Sequence, residues 1–267
     1  MSYSDTDRFL WRTSHLAVAE REPDDEGEKE AHELAEDDDV PVSLPDPDDN
    51  EAWEQIEKES NERIDKSGRR FSNWFQFARL YNYDKKITEH IVEYRDLMGR
   101  LAERLRAGEI DFAKWSYDSR VAIVRYTMDG HRLGIAKATG VAPSQVKMTT
   151  GQRKVAIGVI EEQHKYFAKF AGEVRDQLKQ GQELTTGLDS RARMYGGSVR
   201  SASAGAALAE KPEQRLRWVR FAGDSCETCI RHGGEVRTGK EWKELDVWPA
   251  HNVVCLSNCR CTFSAAE

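Results

Sequence analysis

No cysteine occurs in the first 225 residues of this 267-residue chain, so most of the protein can rest neither on a disulfide framework nor on thiolate metal ligands. No apolar run approaches the ~18–20 residues needed to cross a bilayer, which excludes a helical membrane span. The opening segment, MSYSDTDRFLWRTSHLAVAE, lacks the basic, then apolar, then small-residue order of a secretory signal, and the expected location is the cytoplasm. Large apolar residues are also scarce between residues 21 and 50, where acidic runs and four prolines collect. Such a segment buries too little surface to offset its ordering entropy, and residues 1–50 read as an acidic, largely disordered N-terminal arm.

What is present is charge. One third of the residues are charged and the mean hydropathy is −0.74, the profile of a soluble, helix-friendly chain of one sizeable domain or two modest ones. Between Glu20 and Glu51 sixteen acidic residues face two basic ones, so a local −14 inside a chain of −7 leaves +7 for the remainder. That excess is compatible with contact to nucleic acid or to an acidic surface, but it is spread along helices and reads first as ordinary solvated helix faces. The acidic arm reads equally as a solubilising tail or as a segment that lies on a basic surface or fends off DNA.

From Glu51 the pattern turns helical. Ile87, Ile91, Tyr94, Leu97, Met98, Leu101 and Leu105 fall at three- and four-residue spacing between Lys86 and Arg106, one apolar stripe on a long helix. A second amphipathic stretch runs from about Asp111 to Gly140, and a third from about Gln152 to Gln180 with Gly181 behind it. A fourth, from about Leu188 to Glu210, is rich in alanine, serine and glycine; it would either let two helices approach closely or leave the packing loose. Trp74, Phe75, Phe77, Tyr81 and Tyr83, near Arg69, Arg70 and Arg79, could stack single-stranded nucleic acid, although core or interface packing is the favoured reading.

All five cysteines lie after Asp224. Cys226 and Cys229 form a C-x2-C pair, a spacing that lets two thiolates from one turn reach a single Zn²⁺ at about 2.3 Å. Cys255, Cys259 and Cys261 form C-x3-C-x-C. Between the groups, Gly233-Gly234 and the alternating Glu235 to Thr238 predict a short β-hairpin whose ends bring the cysteines together. Four ligands suffice for a structural site, whereas five cysteines plus His232 and His251 are on offer. The assignment is Cys226, Cys229, Cys255 and Cys259, with Cys261 the first substitute. Trp242 and Trp248 are expected to pack over the site. In so short a tail, metal binding would supply most of the folding free energy, on the order of 10 kcal/mol. An odd count argues against disulfides, and a redox role for the C-x2-C pair lacks its βαβ surroundings.

These residues resemble the head morphogenesis or minor head proteins of tailed bacteriophages, related to the Mu F-like proteins. The resemblance is most specific at the C-terminus: Cys226-Glu-Thr-Cys229, the turn at Gly233-Gly234, the stretch Trp242 to Pro249, and Asn258-Cys259-Arg260-Cys261. Upstream, the segments AGEIDFAKWSYDSRVAIVRYTMDGHRLGIAKATG, FAKFAGEVRDQLKQGQ and RARMYGGSVRSA are similar to successive elements of that family. The likeness covers about Lys86 to Cys261. It departs from the family's frequent HPNC closing, where Cys255 stands in for a histidine, and the acidic arm has no counterpart.

The resemblance implies a structural, non-enzymatic virion component made in the host cytoplasm with the portal and major capsid protein as partners, and then held in the head near the portal or the packaged DNA. It implies no catalytic residue and no small-molecule substrate. The expected fold is mainly α, an elongated helical body over 51–212 with a small zinc-stapled β-hairpin module over 213–267. Two rivals stand beside this. An HNH-type nuclease would use His251 and Asn252, though the segment shows no His-His or Asp-His pair by spacing. A zinc-stapled DNA-binding module would draw on Arg215, Arg217, Arg220, Arg231 and Arg237.

Overall fold

The computed structural model describes residues 42, 44–65, 83–220, 225–253, 259 and 261–266. Its architecture is mainly helical, with a three-stranded antiparallel sheet and a group of cysteines near the C-terminus. No described helix is long and apolar enough to cross a membrane.

The body opens with α1 (Asn50–Asp65), whose first turn is fixed by the Asp49 carboxylate accepting from the Ala52 N–H. Trp53, Ile56 and Ser60 are buried on one face, as three- and four-residue spacing demands. Ahead of it, Asp46 and Pro47 at the end of the acidic segment are tied down: the Trp53 indole donates to the Asp46 carbonyl and Arg153 to that of Pro47.

Helix α2 (Tyr83–Arg106) buries Ile87, Ile91, Tyr94, Met98, Leu101 and Leu105, the expected stripe. Helix α3 (Phe112–Thr139) starts on the Asp111 carboxylate, which accepts from the Lys114 N–H, and stops at Gly140, whose φ of 74° is the left-handed end that glycine provides without strain. Helix α4 (Thr150–Lys179) is launched by a reciprocal Thr149/Gln152 capping box. The anticipated fourth helix is divided. Helix α5 (Gly187–Arg193) passes through a 3-10 turn, Met194–Gly197, into α6 (Ser198–Glu210).

Helix α6 carries few large side chains because it lies directly against α3. A Cβ on Gly130 would sit 2.5 Å from the Val199 carbonyl oxygen, and one on Gly134 would overlap the backbone of Ser203. The two glycines are four residues apart, as are Val199 and Ser203, so one side of each helix meets the other almost backbone to backbone. Of the two readings of the small-residue segment, close approach is the one observed.

Around this pair, Trp115 packs on Phe167 and Phe170, Tyr195 adds an edge contact with Phe167, and Tyr94 stacks on Tyr126 at 4.7 Å. At the other end of α3 the fully buried Arg132 donates to the carbonyls of Glu57, Pro143 and Val146 and to the Asn61 side chain. Its charge is dispersed over four acceptors. Of the aromatic group before α2, Tyr83 alone is among the described residues; its hydroxyl donates to the Val141 carbonyl.

The C-terminal module contains β1 (Arg215–Val219), α7 (Glu227–His232), β2 (Val236–Thr238), α8 (Gly239–Glu244) and β3 (Thr262–Ala265). The strand order is β2-β1-β3. This corrects the expected hairpin. Gly233-Gly234 closes α7, with the Gly234 N–H donating to the Trp218 carbonyl, and β2 pairs not across that turn but with β1, which precedes the first cysteines. The physical reason is that the C-x2-C turn continues as a short helix, leaving Val236–Thr238 to find its partner upstream.

Candidate metal centre

The cysteine groups are brought together by long-range pairing. β1 pairs with β3 through Leu216↔Ala265 and Trp218↔Phe263, which draws the chain just before β3 back over α7. Alternation along β1 turns Leu216 and Trp218 inward. There Trp218, Trp242 and Phe263 meet with ring centres 5.3–5.6 Å apart. Trp248 completes the same buried cluster with Leu208, Val253 and the cysteines. The module therefore has an aromatic core of its own, larger than its length suggests.

Against that core lie the sulfurs of Cys229, Cys259 and Cys261, all within 4.8 Å of one another and all buried. Cys229 and Cys259 are 3.7 Å apart, far beyond the ~2.05 Å of a disulfide. The separation matches the roughly 3.8 Å edge of a tetrahedron with sulfurs about 2.3 Å from its centre. Cys226 caps the N-terminus of α7 and is half-buried, and its side chain is hydrogen-bonded to Cys229. Cys255 lies outside the described residues. Cys261, first substitute in the sequence reading, stands inside the group.

The histidines are engaged elsewhere. His232 Nδ1 is 3.1 Å from the Glu235 carboxylate, its ring against Trp218 and Trp242. His251 stacks on Trp248 at 3.6 Å and its Nε2 meets Asp246 Oδ1 at 2.9 Å. The second contact is an Asp-His pair that spacing alone did not reveal.

The electrostatics of the cluster are those of buried thiols held close together. Burial, followed by the neighbouring Cys261, Cys259 and Cys226, pushes the Cys229 thiol far above its ordinary range. Burial also raises Cys259, while backbone N–H groups of Cys261 and Ala250 that face its sulfur pull the other way. Several thiolates this close would repel one another in a dry pocket; a divalent ion reverses the balance and releases the protons. Three buried soft donors with a fourth beside them suit a metal ion that favours sulfur.

Of the basic residues in the module, Arg215, Arg217 and Arg220 are exposed, whereas Arg231 pairs with Glu227, and Arg237 pairs with Glu235 and covers the Trp242 ring. Sequence reasoning missed Trp218 and the loop residues Asp246 and Ala250, and named Asn252 only for the nuclease reading. Alternation in Arg-Leu-Arg-Trp-Val could have found the first. No local signal marks the loop.

No family model, no curated protein and no solved structure matches this chain.

Proposed function

We propose that this chain is a structural minor head protein of a tailed bacteriophage, acting in head assembly at or near the portal, with a C-terminal knot closed by Zn²⁺. The observation that carries the reading is the C-terminal pattern: a C-x2-C pair, a Gly-Gly turn, a Trp-to-Pro stretch and the closing Asn258-Cys259-Arg260-Cys261. The geometry agrees with the metal half of it, because Cys229, Cys259 and Cys261 converge with Cys226 adjacent.

Four sulfur ligands would leave no open position for water or substrate, so the ion is architectural and holds α7 against the segment before β3. The portal and the major capsid protein are the partners this reading names, with packaged DNA a further contact. Two measurements test it. Elemental analysis should find about one zinc per chain, lost when Cys226 and Cys229 are both changed to serine; metal-free protein purified without chelator would remove the knot. Mass spectrometry of purified virions should find the protein in low copy in the head, and its absence from particles would sink the assembly role.

A DNA-binding role for the same module has one observation in its favour, the exposure of Arg215 and Arg217 on the outer face of β1. It requires duplex affinity that falls steeply with salt and that weakens in Arg215→Ala, Arg217→Ala.

A further inference from the structure

Among the described residues, three non-glycine positions have positive φ, and all fall in one seven-residue loop: Asp246 at 52°, Ala250 at 67° and Asn252 at 47°. Asp and Asn tolerate this conformation, but alanine does not adopt it without cost. Something must therefore hold Ala250 in place, and the contacts show what does.

The Asp246 carboxylate accepts twice. Its Oδ1 receives the His251 ring N–H at 2.9 Å and its Oδ2 the Asn252 side-chain amide at 2.7 Å; the same amide also donates to the Asp246 carbonyl. Inside that clasp, Trp248 and His251 form a backbone bridge and stack ring on ring. Trp248 is anchored outside it by its indole N–H on the Ser201 carbonyl. Ala250 is thus fixed from both sides; it packs against the buried cluster that holds the cysteines, and its N–H faces the Cys259 sulfur.

We propose that Asp246 is a positioning residue of the metal centre: by clasping His251 and Asn252 it sets the 246–252 loop so that the Ala250 amide is aimed at the Cys259 sulfur. The inference rests on reading the cysteines as a metal centre. An amide donor at a metal-bound thiolate fixes the orientation of the sulfur and offsets part of its charge, and the loss of such an outer contact typically weakens metal binding about 10–100-fold. Asp246 is exposed and its carboxylate bonds His251 and Asn252, so its effect runs through the loop.

The experiment uses the full-length protein with Co²⁺ as probe, read by its thiolate-to-metal charge-transfer absorption, followed by Zn²⁺ competition against a chelator. Asp246→Ala should bind both ions about 10–100-fold more weakly, with an altered Co²⁺ band and unchanged helical circular dichroism. Asp246→Asn retains an acceptor for Asn252 and a partner for His251, and should restore most of the affinity. Ala250→Gly keeps the N–H and removes the strain, and should bind at least as tightly as the parent. Parent-like affinity in Asp246→Ala would overturn the proposal, as would an Asp246→Asn protein as weak as the alanine variant. A parent chain that binds neither ion would instead bring down the metal reading itself, a result recognisable before any variant is compared.

Discussion

The indole N–H of Trp248 donates to the backbone carbonyl of Ser201 at 3.2 Å, and the same ring lies against Gly205 one turn further along α6. With Leu208 of α6 in the same buried cluster, this side chain helps join the cysteine module to the helical body. Trp248→Phe keeps most of the ring contact but removes the donor from a buried pair. The expected loss is about 1 kcal/mol, seen as a fall of roughly 2–4 °C in Tm; an unchanged melting curve would mean that the junction is held elsewhere.

At the α3–α6 contact, Gly134→Ala sets two effects against each other. Helix propensity favours alanine by up to about 1 kcal/mol. The Cβ, however, has no space against the Ser203 backbone, and overpacking of this kind costs about 1–3 kcal/mol. The steric effect wins because the obstacle is main chain. Urea denaturation should show a lower midpoint with an unchanged slope, and a higher midpoint would contradict the close approach.

Burial, assisted by the Lys243 charge, lowers the pKa of His131 from 6.5 to about 4. The folded state therefore prefers the neutral ring. Above pH 6.5 neither state is protonated and the residue has no effect on stability. As pH falls from 6.5 towards 4, the unfolded chain takes up the proton first and stability is lost, by about 3 kcal/mol in all. Unfolding free energies measured between pH 7 and pH 4 should show this slope, and His131→Leu should flatten it. An identical slope in the variant would assign the acid sensitivity to other groups.

Arg132→Met should be among the most damaging changes in the body. The methionine fills part of the volume but leaves the acceptors at Glu57, Asn61, Pro143 and Val146 without their donor, at a cost of about 3–5 kcal/mol. Arg132→Lys cannot span all four from one ammonium and should lie between. Chemical denaturation of the three proteins gives the ranking, and equal stability of parent and methionine variant would refute it.

Much of this was legible in the sequence where the signal is local. The apolar stripe from Ile87 to Leu105 and the stops at Gly140 and Gly181 mark α2, α3 and α4 because helical burial repeats every three to four residues along the same stretch of chain. Clustering of the cysteines marked the buried group of Cys229, Cys259 and Cys261 for a similar reason. What escaped depends on distant partners. β1 and β3 are five and four residues long, too short for alternation to stand out, and each exists through pairing with the other. The 3-10 turn at Met194–Gly197 divides what reads as one helix. That the Cys261 sulfur lies beside those of Cys229 and Cys259 likewise follows from long-range strand pairing and not from spacing. Asp246 left no trace at all, since its role consists of bonds to His251 and Asn252 that appear only once the loop has curled.

The two glycines of α3 have a mechanical consequence. Because the helices touch through backbone, α6 cannot slide along α3 the way a helix lined with flexible side chains could; Gly130 and Gly134 act as notches that index its axial position. Ser201 sits between the two indexed positions, Val199 and Ser203. Trp248 hangs from Ser201, and Ala250 from the loop that Trp248 anchors. The placement of the sulfurs is thereby referenced to the α3–α6 contact as well as to the three short strands around them. A substitution that shifted α6 along α3 would therefore carry Trp248, and the loop it anchors, with it.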